Sequence, residues 1–346
     1  MENKIRLYHN SKEYFNGVIS KLEQAENSIY IESYIFSGFI GQKIIELLNK
    51  KHEEGLEIKL ILDGIGSSNF RQEFSQCLFA HKIYHPLPNF LLSSPFSTKW
   101  LSTLNRRNHR KLILIDSQEC FIGSLNISDE TFLWQETAVY LPFCSPQLLQ
   151  SVHSVWEQKP LHLKFHRSLP FLLNSSFSLR FKKQFYIRKK LKKAKKRIWI
   201  LNAYFTPPTK ILRLLKKKPI QNVDVRIIVP GPSDHPLLQF LSEYYTRYLE
   251  LSNVKIYKHQ KQFLHSKVML IDNTLFIGSS NLNYRSIFHD LELDVELKGL
   301  PQIQKQVAHF EQLFQNSKLL ATPKWSFSVF LKNSIARLLL IFKYWM

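Results

Sequence analysis

One stretch of this chain occurs twice. His109-Arg-Lys111-Leu-Ile-Leu-Ile-Asp116 is answered by His265-Ser-Lys267-Val-Met-Leu-Ile-Asp272, and both read His-x-Lys-x4-Asp. The likeness continues downstream. Phe121-Ile-Gly123-Ser124-Leu-Asn126 follows the first copy and Phe276-Ile-Gly278-Ser279-Ser-Asn281 the second, with one residue fewer in the intervening turn. A glutamate, Glu136 or Glu292, stands 27 residues after each histidine. One such motif arises by chance in roughly a few per cent of chains this long. Two copies with matched surroundings instead make the chain an internal duplication.

The flanking pattern repeats in the same order. In the first half an amphipathic pattern from Lys12 to Gln24 precedes an apolar strand, Ile29 to Phe36; a helix (Gly41 to Lys51) and a strand ending in a turn (Glu57 to Gly64) follow. In the second half a helical pattern ends near Ala194. Arg197 to Phe205 then gives a strand, Lys210 to Lys217 a helix, and Val223 to Gly231 a strand and turn. Ile83-Tyr84 and Ile256-Tyr257 mark a further short strand in each half. A period of roughly 160 residues is too long for a solenoid. The pattern predicts two similar α/β halves packed against each other. The expected units are 1–165, 166–324 and an amphipathic tail, 325–346, with Pro160, Pro170, Ser175 and Ser176 marking the junction.

The halves differ just before the motif, where 24 residues separate Tyr84 from His109 against seven between Tyr257 and His265. The longer loop carries Pro86, Pro88, Phe90, Leu91, Leu92, Phe96 and Trp100, then Arg106 and Arg107. It reads either as a wall that meets lipid or as a loop folded onto the core. From Arg180 to Arg197, eleven of eighteen positions are Lys or Arg, with Phe181, Ile187, Leu191 and Ala194 at helical intervals. That run reads first as a solvated helix face and second as a dock for anionic lipid. The tail from Trp325 to Met346 is too interrupted to span a membrane and reads as an interfacial or core-docking helix.

A formal net charge of +21 calls for an anionic partner: a membrane surface, a phosphate-bearing substrate or nucleic acid. Three scattered cysteines, Cys77, Cys120 and Cys144, offer no disulfide framework or zinc site, which suits a reducing compartment. No signal-peptide pattern opens the chain and no run of about 18 uncharged apolar residues is present, so a cytoplasmic, peripheral location is expected.

On a strand His109 and Lys111 would face one way, as would His265 and Lys267. Such a pair suits a phosphodiester, because the ammonium neutralises non-bridging oxygens while the imidazole attacks phosphorus or passes a proton. Asn126 and Asn281, with Ser124 and Ser279, would donate further hydrogen bonds to those oxygens. Glu136 and Glu292 are the candidates to hold the second nitrogen of each imidazole. Asp116 and Asp272 stand in turn-like pairs, Asp-Ser and Asp-Asn, and read as scaffold. Two copies fit one reaction with two roles, a nucleophile forming a covalent phosphohistidine and a general acid. Nothing matches His-Glu-x-x-His, Cys-x-x-Cys or Gly-x-Ser-x-Gly, so neither metal nor cofactor is expected. His52, His153, His162 and His166 lack matched surroundings and read as ordinary histidines.

At these residues the chain resembles the phospholipase D superfamily, and within it bacterial cardiolipin synthases. The similar stretches are Tyr34-Ile-Phe36, Leu62-Asp-Gly-Ile-Gly-Ser67, Asn108-His-Arg-Lys111, Tyr204-Phe-Thr-Pro207, Ser233-Asp-His-Pro236, Phe263-Leu-His-Ser-Lys267 and Asn281-Leu-Asn-Tyr-Arg-Ser286. The resemblance implies an α/β/α/β/α sandwich with pseudo-two-fold symmetry and a single active site at the seam. It implies His109 as nucleophile, His265 as acid, and a reaction joining two phosphatidylglycerols into cardiolipin with release of glycerol. Two departures leave the acceptor alcohol open: Asp290-Leu-Glu292 stands for the usual Asn-x-Glu, and Glu136 for a common aspartate. The competing readings are a phospholipase D hydrolase or transphosphatidylase, a nuclease of the same superfamily, and a non-enzymatic membrane module.

Overall fold

The computed structural model describes residues 4–68, 73–84, 106–159, 170–299, 301–321 and 327–340. The loop carrying Phe90 and Trp100 and the stretch around Pro160 lie outside the described residues, as do Trp325 and Met346.

The first half runs β1 (Arg6–Tyr8), α1 (Ser11–Glu23), β2 (Ser28–Ser33), α2 (Gly38–Glu53), β3 (Glu57–Asp63), β4 (Ala80–Tyr84), β5 (Leu112–Ile115), β6 (Glu119–Gly123), β7 (Ala138–Leu141) and α3 (Pro146–Trp156). The second runs β8 (Phe171–Leu173), α4 (Phe177–Lys193), β9 (Arg197–Leu201), α5 (Thr209–Lys217), β10 (Asp224–Pro230), α6 (Pro236–Glu250), β11 (Lys255–His259), β12 (Val268–Ile271), β13 (Thr274–Gly278), α7 (Tyr284–Phe288), β14 (Leu293–Lys298), α8 (Pro301–Gln315), β15 (Ser317–Leu319) and α9 (Phe327–Leu339).

Each half builds its own sheet. The strand order is β1-β7-β6-β5-β2-β3-β4 in one and β15-β11-β10-β9-β12-β13-β14-β8 in the other. Read from β4 and from β11, the two orders match strand for strand, and β15 is an added edge. β2, β3 and β4 are mutually parallel, while β5, β6 and β7 return antiparallel. The central strands are apolar on both faces because helices or the other sheet cover both sides. α1 shows how locally this is specified. The Asn10 side chain accepts from the Glu13 N–H at its start, and Tyr14, Phe15, Val18 and Leu22 form one buried stripe.

Five layers result. α1 and α2 pack on the outer face of the first sheet. α5, α6 and the end of α4 pack on the outer face of the second. Between the sheets lie α3, through Leu148, Val152 and Trp156, and α8, through Ile303, Phe310 and Phe314. This is the expected α/β sandwich. The order of repeated segments did not foretell these inner helices.

Two expectations are corrected. Phe181 does not join the apolar stripe of the basic helix: Phe181, Phe185 and the 84%-exposed Phe177 point outward, and Leu179, Lys183 and Leu191 form the buried face of α4. Nor is the basic run merely solvated, since Lys183 pairs with Asp294 at 2.7 Å and Lys190 with Glu296 at 3.0 Å, both on β14. In the tail, the Arg337 Nε of α9 donates to the Tyr244 hydroxyl of α6 at 3.4 Å, while Phe330, Leu331, Ile335 and Leu338 remain exposed. No helix among the described residues is long and apolar enough to cross a membrane.

Candidate active site

The motif histidines lie just before strands rather than on them. His109 and Lys111 precede β5, and His265 and Lys267 precede β12. At both places the chain crosses the seam. Asn108, immediately before His109, forms a parallel bridge with Leu291, immediately before Glu292; Leu264, before His265, does the same with Gln135, before Glu136. The His109 N–H donates to the Leu291 carbonyl at 3.0 Å and the His265 N–H to the Gln135 carbonyl at 3.0 Å. Each histidine is thereby set beside the glutamate of the opposite half. His109 Nδ1 meets Glu292 Oε1 at 3.1 Å and Oε2 at 3.2 Å, and His265 Nδ1 meets Glu136 Oε1 at 2.6 Å. Bonding at Nδ1 leaves Nε2 of both rings for the cavity.

That cavity, about 310 Å³, is lined by His109, His265, Asn126 and Asn281 together with Tyr34, Trp134, Tyr204, Arg107, Arg285 and Asp290. The ring of Tyr34 stands edge-on to His109 at 4.9 Å, and Trp134 lies 5.0 Å from His265. Asn126 Oδ1 accepts the Ile35 N–H at 3.3 Å; Asn281 Oδ1 is buried without a partner among the described residues. The lysines fold back, Lys111 Nζ donating to the His109 carbonyl at 3.0 Å and Lys267 Nζ to the His265 carbonyl at 2.6 Å. Among the described residues no group of three His, Cys, Asp or Glu side chains could hold a metal ion.

Burial shapes the electrostatics. It lowers His109 well below the usual imidazole range, reinforced by Lys111 and Lys267, and lowers His265 to about 4 although Glu136 pulls the other way. It brings Lys111 down to about 8 and Lys267 to about 7. The carboxylates part company. Burial would raise Glu136, but His265, Lys267 and Ser124 together outweigh it and hold the carboxyl below its usual range. At Glu292 burial prevails over Lys111 and Ser279, pushing it up to about 7.

A family model described as cardiolipin synthase, PLD-like domain, matches residues 18–156 and 187–315, more than half of the chain. The chain belongs to this PLD-like family. A probable cardiolipin synthase of Bacillus subtilis is 27% identical over 92% of this chain and 68% of its own length. A cardiolipin synthase of Halalkalibacterium halodurans is 32% identical over 86% of this chain and 63% of its own length. The crystal structure of phosphatidylserine synthase from Haemophilus influenzae superposes on all of this chain and 96% of that one with a TM-score of 0.70 at 14% identity, which shows a shared fold.

Within this PLD-like member, the duplicated His, Asn and Glu residues converge at one seam. Two expected donors act elsewhere: the Ser124 hydroxyl donates to Glu136 and the Ser279 hydroxyl to Glu292, so they orient the carboxylates rather than face a phosphate. Asp116 and Asp272 do not line the cavity. Asp116 accepts the N–H groups of Glu26, Asn27 and Ser28 at 3.1, 2.7 and 2.8 Å. Asp272 accepts those of Lys195, Lys196 and Arg197 at 3.1, 2.8 and 3.2 Å. Asp272 also adopts a positive φ of 52°, which Asn tolerates. An Asp272→Asn variant is therefore expected to lose about 1–2 kcal/mol of stability, the difference between charged and neutral acceptors. Denaturant unfolding measures the loss. Activity per folded molecule reduced more than tenfold would put Asp272 in the chemistry instead.

The motif letters alone do not reveal Trp134, Arg107, Arg285 or Asp290. The available signal was adjacency: Arg107 and Asp290 stand two residues before a motif histidine and a paired glutamate, and Arg285 sits in one of the stretches that carry the family resemblance.

Proposed function

We propose that the chain is a phosphatidyltransferase of the cardiolipin synthase type, condensing two phosphatidylglycerols through a phosphohistidine. The observation that carries this reading is one cavity onto which two histidines open, each with Nδ1 bonded to the opposite half's carboxylate. In the first step His109 Nε2 bonds to phosphorus, the phosphorus–oxygen bond to the departing glycerol breaks, and His265 gives that oxygen a proton. In the second, a hydroxyl of another phosphatidylglycerol attacks phosphorus, its proton passes to His265, and the nitrogen–phosphorus bond breaks. The unequal contacts support this division of roles. The histidine that must carry a proton, His265, has the closer carboxylate, Glu136, which is held in its ionised range and pulls the imidazole upward against the lowering by burial. Lys111 and Lys267 supply positive charge behind the phosphate, and Asn126 and Asn281 bond its oxygens.

Several cavity-lining segments also expose a large apolar side chain. Leu133, 71% exposed, adjoins Trp134; Leu237 adjoins Leu238; Phe288 lies two residues from Asp290. With the exposed phenylalanines of α4 and a net charge of +21, this supports peripheral docking on an anionic bilayer with the cavity mouth toward the lipid.

The test is purified protein on vesicles of labelled phosphatidylglycerol. Co-sedimentation with the vesicles and formation of cardiolipin plus glycerol are expected, with the phosphatidyl group trapped on His109 after acid-free quenching. Phosphatidic acid as the sole lipid product would favour hydrolysis. Inertness toward lipid with cleavage of single-stranded DNA would favour a nuclease.

A further inference from the structure

The two halves share a plan, yet the ends of the cavity differ. Counting back from the paired residues, Trp134 matches Asp290, each two before a glutamate, and Phe263 matches Arg107, each two before a histidine. The end near His265 is consequently aromatic: Trp134 packs 5.0 Å from that imidazole and 5.3 Å from Phe263. The end near His109 is ionic. Asp290 accepts the backbone N–H of Arg107 at 3.0 Å and Nε of Arg285 at 2.9 Å, and both arginines line the cavity.

The hydrogen bonds at this ionic end are not all made. Asp290 spends its oxygens on the Arg107 backbone and on Arg285 Nε. Asp63, the other nearby acid, accepts the N–H groups of Ile65, Gly66 and Asn108 at 3.0, 3.1 and 3.0 Å. Among the described residues the buried Arg107 Nη1 has no hydrogen-bond partner, a costly state for a charged group unless a ligand brings an acceptor.

Chemistry between the histidines handles one phosphate, served from both halves by matched lysines and asparagines. A guanidinium present in one half only is surplus to it. Condensing two phosphodiesters, however, brings in one further phosphate that does not react. We propose that Arg107, assisted by Arg285, binds that second phosphate, the phosphodiester of the acceptor phosphatidylglycerol, by the planar paired contacts guanidinium makes with phosphate oxygens. Both histidines open on the same cavity, so its wall lies within a glycerol's reach of the reacting centre. Asp290 is the positioning residue, tying the Arg107 backbone to the Arg285 side chain. The inference rests on the reading above that the acceptor is itself a phospholipid.

The test supplies full-length protein with phosphatidylglycerol vesicles and labelled glycerol, so that an anionic and a neutral acceptor compete for one intermediate. Cardiolipin and glycerol-exchanged phosphatidylglycerol are quantified together. In Arg107→Gln the ratio of cardiolipin to exchange product is expected to fall by about tenfold or more, the usual effect of one lost charge-assisted contact, with Arg107→Lys in between. Both products come from the same folded molecules, so loss of folded protein leaves the ratio unmoved. An unchanged ratio, whether both products fall together or neither does, overturns the assignment. Wild-type protein that exchanges glycerol but makes no cardiolipin overturns the acceptor reading itself, and the wild-type sample alone shows it.

Discussion

A Glu136→Gln variant is expected to lose about 10³- to 10⁴-fold in transfer rate, by analogy with removing the charge behind a catalytic imidazole elsewhere. The side chain keeps its shape. What goes is the carboxylate 2.6 Å from His265 Nδ1, which fixes the tautomer and stabilises the imidazolium formed when His265 takes a proton. Because Glu136 serves the other half's histidine, the effects should be coupled across the seam. His265→Ala with Glu136→Gln should be scarcely worse than His265→Ala alone, whereas Glu136→Gln and Glu292→Gln, acting on different rings, should multiply. The kcat/KM values of the single and double variants decide it. Coupling of Glu136 to His109 instead would refute the crossed pairing.

The largest effect on stability is expected beneath His109, at Glu32. Its carboxylate and the Arg110 guanidinium are both fully buried, 3.3 Å apart. Glu32 also accepts the Tyr30 hydroxyl at 3.0 Å and Asn108 Nδ2 at 2.8 Å. Glu32→Ala leaves the Arg110 charge in the interior with, among the described residues, only the Ser151 hydroxyl, at 3.0 Å, as a side-chain partner. Breaking such a pair costs about 3–5 kcal/mol, a large part of a typical domain's stability. Replacing Arg110 by Met in the same chain should recover most of the loss, since the stranded charge goes with it. A destabilisation below about 1 kcal/mol, measured by urea unfolding, would mean the pair behaves as an exposed one. Asn108 immediately precedes His109, so the single variant should also loosen the imidazole.

The matched fold was legible because the duplication wrote it twice: strand-helix-strand order, the turn aspartates and the His, Lys, Asn and Glu spacings all recur. What could not be read was set by contacts across the seam. The pairing of His109 with Glu292 depends on the bridge between Asn108 and Leu291, and no local pattern encodes that register. α8 hid for a related reason: its buried face includes Gln302 and Gln306, which interrupt the apolar stripe. Lys183 and Lys190 looked solvated because their partners, Asp294 and Glu296, arrive on a strand more than 100 residues later. Ser124 and Ser279 could be placed near the chemistry, but only the fold shows which oxygen each hydroxyl meets.

The crossed carboxylates have a consequence for how such a chain could arise and divide. A half standing alone presents a histidine whose partner acid is missing and an acid whose histidine is missing, so it can work only by pairing with a second copy. Joining two copies end to end removes the need to find that mate and frees each to change separately. Trp134 on one side and Asp290 on the other are what such freedom leaves behind.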